Sequence, residues 1–109
     1  MCRVYAGTDP KEYEPVTRSV RLHGAVTSIR LEEHFWKVLD EMSRREGMPT
    51  PRFLCTLYDE VQELHGEVRN FASFLRVACT IFLEQGQMDA PDGEAARQAG
   101  TRPGAIRYA

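Results

Sequence analysis

One short stretch, residues 27–32, constrains the fold of this chain more than any other part of it. Within it Ile29 and Leu31 alternate with Ser28 and Arg30. This period of two gives a β-strand one apolar face and one polar face. The stretch therefore predicts a strand that lies against a core on one side and meets solvent on the other.

Directly after this strand the apolar spacing becomes helical. Phe35, Leu39 and Met42 recur at steps of four and three, with Trp36 beside them, so the strand leads into an amphipathic helix. No second strand of comparable pattern follows. Because an isolated strand leaves backbone donors and acceptors unpaired, the pattern predicts that this strand pairs with its copy in a second subunit.

Residues 16–23, which precede the strand, carry a weaker extended pattern. If their alternation continued unbroken, Val20 and Leu22 would share a face with Ser28, and not with the apolar residues of the strand. Gly24 is the natural place for a bulge or turn that changes the phase. Residues 18–23 could then extend the ribbon, fold back as a hairpin or lie across the helices.

Capping residues and glycines mark the ends of three predicted helices. The first runs from about residue 32 to 46 and ends at Gly47. The second begins where Thr50 serves as the N-cap before Pro51, and it extends to about residue 64. Asn70 would cap a third helix that reaches about residue 84. The predicted organisation is an irregular N-terminal arm (1–15), one domain (16–85) and a flexible tail (86–109).

Length and charge narrow the class of protein. A chain of 109 residues is expected to form one domain. Its formal net charge is −2, but residues 16–30 contain Arg18, Arg21 and Arg30 and no acid. The strand and its approach therefore concentrate positive charge. No apolar run is long enough for a membrane span and no signal peptide is visible, so we expect a cytoplasmic protein without membrane association.

Motifs for catalysis or for metal binding do not occur. The sequence contains no glycine-rich phosphate loop, no nucleophile elbow and no paired cysteine and histidine signature. Its three histidines and three cysteines are scattered without metal-ligand spacing. We expect that the protein is not an enzyme and that it holds no metal or other cofactor.

The order of a strand, a helix that ends in glycine, and a second helix that begins with threonine resembles the ribbon-helix-helix family of DNA-binding proteins. The resemblance extends over roughly residues 18–84, and it is closest to a short proteobacterial subgroup of the family. It is carried by residues 22–24, 27–32, 35–36, 39, 46–47 and 70–83. The fold class that it implies is mainly α with one short β-strand. In that class an intertwined homodimer forms an antiparallel β-ribbon between its subunits, and here the chain adds an extra C-terminal helix.

The resemblance also implies roles for individual residues. The ribbon would enter the DNA major groove, where its outward side chains read base edges; these are Val26, Ser28 and Arg30. Phosphate contacts would come from the start of the second helix and from the basic approach to the ribbon, through Thr50, Arg52, Arg21 and Arg18. The dimer core would contain Ile29, Leu31, Phe35, Trp36, Leu39, Leu54 and Leu57.

The resulting prediction is a sequence-specific transcriptional regulator, a repressor, which binds double-stranded DNA as a homodimer or as a dimer of dimers. The alternative is a homodimeric protein-interaction module, similar to an antitoxin, whose C-terminal tail binds a protein partner. Two features of the sequence discriminate between them. The arginines of residues 18–30 favour DNA, whereas a partner would use the tail.

Overall fold

The computed structural model describes residues 2–89 of the chain. In chain order its elements are helix α1 (Cys2–Ala6), a 3-10 turn (Pro10–Tyr13), strands β1 (Pro15–Leu22) and β2 (Ala25–Glu32), and helices α2 (Glu33–Arg45), α3 (Thr50–His65) and α4 (Phe71–Asp89). The chain divides into two compact units at Arg76, so α4 contributes its first six residues to the first unit. This first unit contains every other element.

The two strands pair with each other as an antiparallel hairpin within one chain. The loop between them has two residues, His23 and Gly24, and both have positive φ angles, of 55° and 81°. This is the type I′ turn, whose twist matches that of the flanking strands. The prediction of one short strand was therefore wrong. Of the three arrangements left open for residues 18–23, the structure has the hairpin.

A two-residue turn also explains the change of phase between the strands. Because the turn pairs Leu22 with Ala25, even positions of β1 share a face with odd positions of β2. On that shared face Val20 and Leu22 are buried together with Ile29 and Leu31. The hairpin thus has an inner face against the helices and an outer face toward solvent.

The hydrophobic core forms within the single chain. In the first unit it is built from both strands and all three long helices; its buried apolar side chains are Val20, Leu22, Ile29, Leu31, Trp36, Val38, Leu39, Phe53, Leu54 and Leu75. Of the seven residues predicted for a dimer core, five are buried without a second subunit, and Phe35 and Leu57 are half-buried. Burial of these residues therefore does not require a second subunit, and the homodimer remains a prediction.

The helices begin close to the predicted positions, and α2 and α3 also end close to them. Gly47 and Gly66, with φ angles of 74° and 87°, follow the ends of α2 and α3. The Asn70 side chain accepts a hydrogen bond from the backbone N–H of Ser73, as expected for the cap of α4. Thr50 is not the N-cap of α3, because Pro49 occupies that position.

The N-terminal segment is not irregular throughout, in contrast to the prediction for residues 1–15. The 3-10 turn packs on α2, where Glu12 accepts hydrogen bonds from Lys37 at 2.6 Å and is paired with His34 at 3.1 Å. These hydrogen bonds, first from Lys37 and then from His34, lower the pKa of Glu12. The N-terminal segment is thereby attached to the same unit as the hairpin.

At the other end of the chain, α4 is longer than predicted and continues to Asp89. Residues 86–89 are thus helical, and the remainder of the predicted flexible tail, residues 90–109, lies outside the described residues. Three apolar side chains on this helix, Val77, Ile81 and Leu83, are exposed.

Candidate nucleic-acid interface

The outer face of the hairpin brings together the residues predicted to contact bases. Its six central positions, which we call the outer face throughout, are Thr17, Ser19 and Arg21 of β1 and Val26, Ser28 and Arg30 of β2. All six are exposed, including the apolar Val26 at 64%. They form three cross-strand pairs, in which Thr17 faces Arg30, Ser19 faces Ser28 and Arg21 faces Val26. The face is therefore a two-stranded ribbon of small polar and basic side chains.

Within the described part of the chain neither arginine of the outer face forms an ion pair, although the charge of Arg30 also acts on Glu32. The guanidinium of Arg21 donates to the backbone carbonyl of Gly24 at 3.1 Å, which is a neutral acceptor. The acid that follows on the same strand, Glu32, binds Arg76 at 2.9 Å instead. Hydrogen bonding from Arg76 lowers the pKa of Glu32, so this carboxylate stays ionised and paired. The outer face is consequently positive.

Arg18, the other predicted phosphate contact on β1, lies on the opposite face of the hairpin. Its guanidinium makes a bidentate ion pair with Asp40 at 3.0 and 3.2 Å and stacks 4.4 Å from the ring centre of Trp36. The Trp36 indole N–H in turn donates to the carbonyl of Val16. Arg18 thus joins β1 to α2 and is not grouped with Arg21 and Arg30.

The start of α3 carries Thr50 and Arg52, both of which were predicted to contact phosphate, but the threonine hydroxyl has other partners. Thr50 Oγ1 donates to Asp40 Oδ1 at 2.7 Å and lies 2.9 Å from Ser43 Oγ, so it points toward α2. The side chain of Arg52 is exposed. Any phosphate contact at this end of α3 therefore depends on backbone N–H groups and on Arg52, and not on the Thr50 hydroxyl.

The edge of β2 that faces away from β1 has no strand beside it within residues 2–89. A groove of about 560 Å³ runs along this edge, because it is lined by residues from both faces of β2. Its other wall is formed by α3 and the segment that leads into α4, through residues such as Tyr58, Val68 and Phe71. Unpaired backbone groups beside an open groove form a surface to which another strand can be added.

Comparison with known proteins identifies the domain that carries this hairpin. The ribbon-helix-helix domain family matches residues 15–83, which is more than half of the chain. The chain belongs to this family. Ribbon-helix-helix domains are associated with DNA binding and transcription regulation and typically bind DNA as dimers.

A solved structure of similar fold is that of an uncharacterised protein from Bordetella pertussis Tohama I. It is 41% identical in sequence and has a TM-score of 0.74, and the match covers 85% of this chain and 71% of that one. No curated protein matches this chain. The ribbon-helix-helix assignment therefore rests on the domain match and on the fold.

Two residues of the outer face, Thr17 and Ser19, were not predicted from the sequence as members of the candidate interface. The resemblance pointed to β2 alone, and the residues of β1 were weighed only by their charge. The signal that could have found them is the two-residue turn at His23 and Gly24, because it fixes which positions of β1 lie opposite Ser28 and Arg30.

Two other features are absent from the described part of this ribbon-helix-helix protein. Among residues 2–89, no group of three histidine, cysteine, aspartate or glutamate side chains is arranged to hold a metal ion. Over the same residues no helix combines the length and the apolar character that a membrane crossing requires. The outer face and the start of α3 remain the candidate interface.

Proposed function

We propose that this ribbon-helix-helix protein is a sequence-specific transcriptional regulator, acting as a repressor, which reads the major groove of DNA with the outer face of its hairpin. One observation carries the proposal: Ser28 and Arg30 lie side by side on an exposed, positive face, and the nearest acid on the same strand is already paired with Arg76. Such a face suits an acceptor-rich partner. Arg30 can donate two hydrogen bonds to the O6 and N7 atoms of guanine, a contact that discriminates by about 1–3 kcal/mol.

The proposal includes a homodimer in which the free edges of two β2 strands pair. This arrangement is supported by the unpaired edge of β2 and by the open groove along it. It places two copies of Val26, Ser28 and Arg30 next to each other on one antiparallel ribbon. A two-fold symmetric ribbon would favour operators of roughly palindromic sequence.

Phosphate contacts in the proposed complex come from Arg21, Arg52 and the first backbone N–H groups of α3. We leave Arg18 out of the interface because Asp40 and Trp36 already occupy its guanidinium on the inner face. For Thr50 only the backbone is included, since its hydroxyl is hydrogen-bonded to Asp40. The positive N-terminal end of α3 would add to the attraction for phosphate.

The proposal is tested by selection from a random pool of duplex DNA with the purified full chain, followed by titration of the enriched site at low and moderate salt. Wild type should enrich a short, roughly palindromic site, and its affinity should fall as salt rises. Arg30→Ala should lose the preference at one base position of each half-site. The matched control is Arg44→Ala, because Arg44 is also exposed but pairs with Glu41 on α2.

Two results would contradict the proposal. If wild type enriches no sequence and binds DNA negligibly at low salt, the protein is not a DNA reader, and the interaction module becomes the better explanation. If Arg30→Ala and Arg44→Ala retain the same base preferences, DNA is bound through another surface.

The second candidate, a partner-binding protein, has one supporting observation. Val77 and Ile81 lie one helical turn apart on α4, and both are exposed at 58% and 47%. Exposed apolar side chains that are adjacent on a helix suit a protein interface. The tail, where the partner site was placed by the sequence, lies outside the described residues from position 90 onward.

A further inference from the structure

The hairpin places a second strand, β1, beside the strand that is proposed to read bases. The side chains of Thr17, Ser19 and Arg21 in β1 point in the same direction as the proposed base-reading side chains of β2. All three are exposed and all three can donate hydrogen bonds. The chemistry of β1 on this side is therefore suited to acceptor oxygens.

The width of the sheet in the proposed dimer limits where β1 can lie. If two β2 strands pair at their free edges, the order of strands is β1, β2, β2 and β1. Neighbouring strands are about 4.8 Å apart, so the two outermost strands are about 14 Å apart. The major groove is about 12 Å wide and admits a ribbon of two strands. The β2 pair fits between the groove walls, whereas each β1 strand lies over a wall.

From this geometry we infer that β1 is a phosphate-binding strand, in which Thr17, Ser19 and Arg21 contact the DNA backbone on either side of the groove that β2 reads. The inference rests on the proposed function, and it gives the two strands different roles in DNA binding. Phosphate contacts fix the position of a protein on the duplex and carry no direct sequence information. The strand β1 thus contributes affinity and register, and β2 contributes base preference.

Contacts within the chain agree with this division. Arg21 holds a neutral carbonyl, that of Gly24, and its cross-strand neighbour on the outer face is the apolar Val26. Its charge is thus available to a phosphate. Arg18, three residues earlier on the same strand, has its charge committed to Asp40. Strand β1 therefore has one arginine on its core side and one on its outer side.

The test compares Arg21→Gln with Arg30→Gln, a matched pair of exposed arginines on the same face but on different strands. Dissociation constants of the full-length variants are measured against salt concentration, on the site selected by wild type and on duplexes with single base changes. Arg21→Gln should weaken binding by about tenfold on every duplex and reduce the slope of log affinity against log salt by about 2, since a dimer loses two phosphate contacts. Arg30→Gln should change the ranking of the duplexes.

A second variant tests the two hydroxyls. Thr17→Val with Ser19→Ala should weaken binding by a similar factor on all duplexes and leave the salt slope unchanged, because neither hydroxyl is charged. Circular dichroism and the midpoint of urea unfolding verify that each variant retains its fold.

The outcomes separate this inference from the proposed function. If wild type selects a site but Arg21→Gln changes its base preference, β1 reads bases and the inference fails while the proposed function stands; the hairpin of one chain would then be the inserted ribbon. An unchanged salt slope and affinity for Arg21→Gln would also overturn it. If wild type shows no binding to DNA, both proposals are wrong.

Discussion

At the scale of single residues, Asp40 joins three elements of the first unit. It accepts two hydrogen bonds from Arg18 of β1 and one from Thr50 of α3, while it belongs itself to α2. Partial burial raises the pKa of Asp40, but the hydrogen bonds from Arg18 and Thr50 outweigh this effect and hold the pKa below its ordinary value. The carboxylate is therefore the form that stabilises the fold.

Asp40→Asn should lower the free energy of unfolding at neutral pH by about 1–2 kcal/mol, because it replaces a charged acceptor of an arginine by a neutral amide. Since the pKa of Asp40 is depressed in the folded state, its contribution is present above the unfolded value of about 3.9 and is lost as pH falls through the folded value. Urea unfolding between pH 7 and 2.5 should thus give two curves that converge in acid.

The control for this prediction is Glu41→Gln. Arg44 and Arg45 lower the pKa of Glu41 to about 2, but both lie on the same helix one turn away, so the pairs join no other element. We expect a much smaller change in stability, which salt removes. Equal losses for both variants would show that Asp40 has no special role.

Single residues also show which side-chain positions could be predicted from the sequence and which could not. Strand parity correctly placed Ser28 and Arg30 on the solvent side, because parity depends only on local alternation. It could not place Arg18, since the face on which β1 displays its side chains depends on the turn. The partner of Arg18, Asp40, is 22 residues away and follows from packing that no local pattern contains.

At the scale of elements, the turn at His23 and Gly24 decides the topology. Asparagine followed by glycine would have been a clear hairpin signal, whereas histidine in the first position of a type I′ turn is a weaker one. For that reason the sequence left the hairpin as one of three arrangements. The helix bounds were predicted more closely because glycine stops and the Asn70 cap act locally.

The glycines at positions 24 and 86 should respond in opposite ways to alanine. A Cβ atom at either position meets nothing within 4 Å, so the two sites differ in backbone conformation and not in space. Gly24→Ala places a side chain at a φ of +81° and should cost about 1 kcal/mol. Gly86→Ala lies in α4 and should stabilise by about 0.5–1 kcal/mol. Urea unfolding followed by circular dichroism measures both, and changes of the same sign would contradict the argument.

At the scale of the whole molecule, neither an unpaired strand nor an exposed core requires the expected dimer. Leu39 and Leu54 are fully buried within one chain, and β2 has β1 as a partner. What still favours a second copy is the free edge of β2. The family could be predicted from the sequence. The predicted reason for dimerisation, a strand without a partner in its own chain, is not supported by the structure. A residue pattern cannot show which strand pairs with which.

The free edge can be tested by proline. The turn hydrogen bond joins Leu22 to Ala25, so alternation along the ladder directs the backbone N–H of Ser28 away from β1. Ser28→Pro removes that donor and leaves the hairpin hydrogen bonds in place. Light scattering after gel filtration should give about twice the 12.4 kDa chain mass for wild type and the monomer mass for the variant.

The matched control is Ser19→Pro, which carries the same change directly opposite Ser28 on β1. It should remain a dimer, because β1 lies outside the proposed pairing edge. A monomeric wild type, or dimers in all three proteins, would show that the edge of β2 is not the interface.

The hydrogen bonds of Asp40 have a consequence for how DNA would be recognised. They link β1 of the hairpin through α2 to the first residue of α3, so hydrogen bonds connect the hairpin to the helix end that is proposed to bind a phosphate. If the hairpin and this helix end both touch one duplex, as proposed, the protein sets the distance between the two contacts on the DNA. Base pairs that the protein never contacts would then influence affinity through the groove width they adopt and the ease with which they bend.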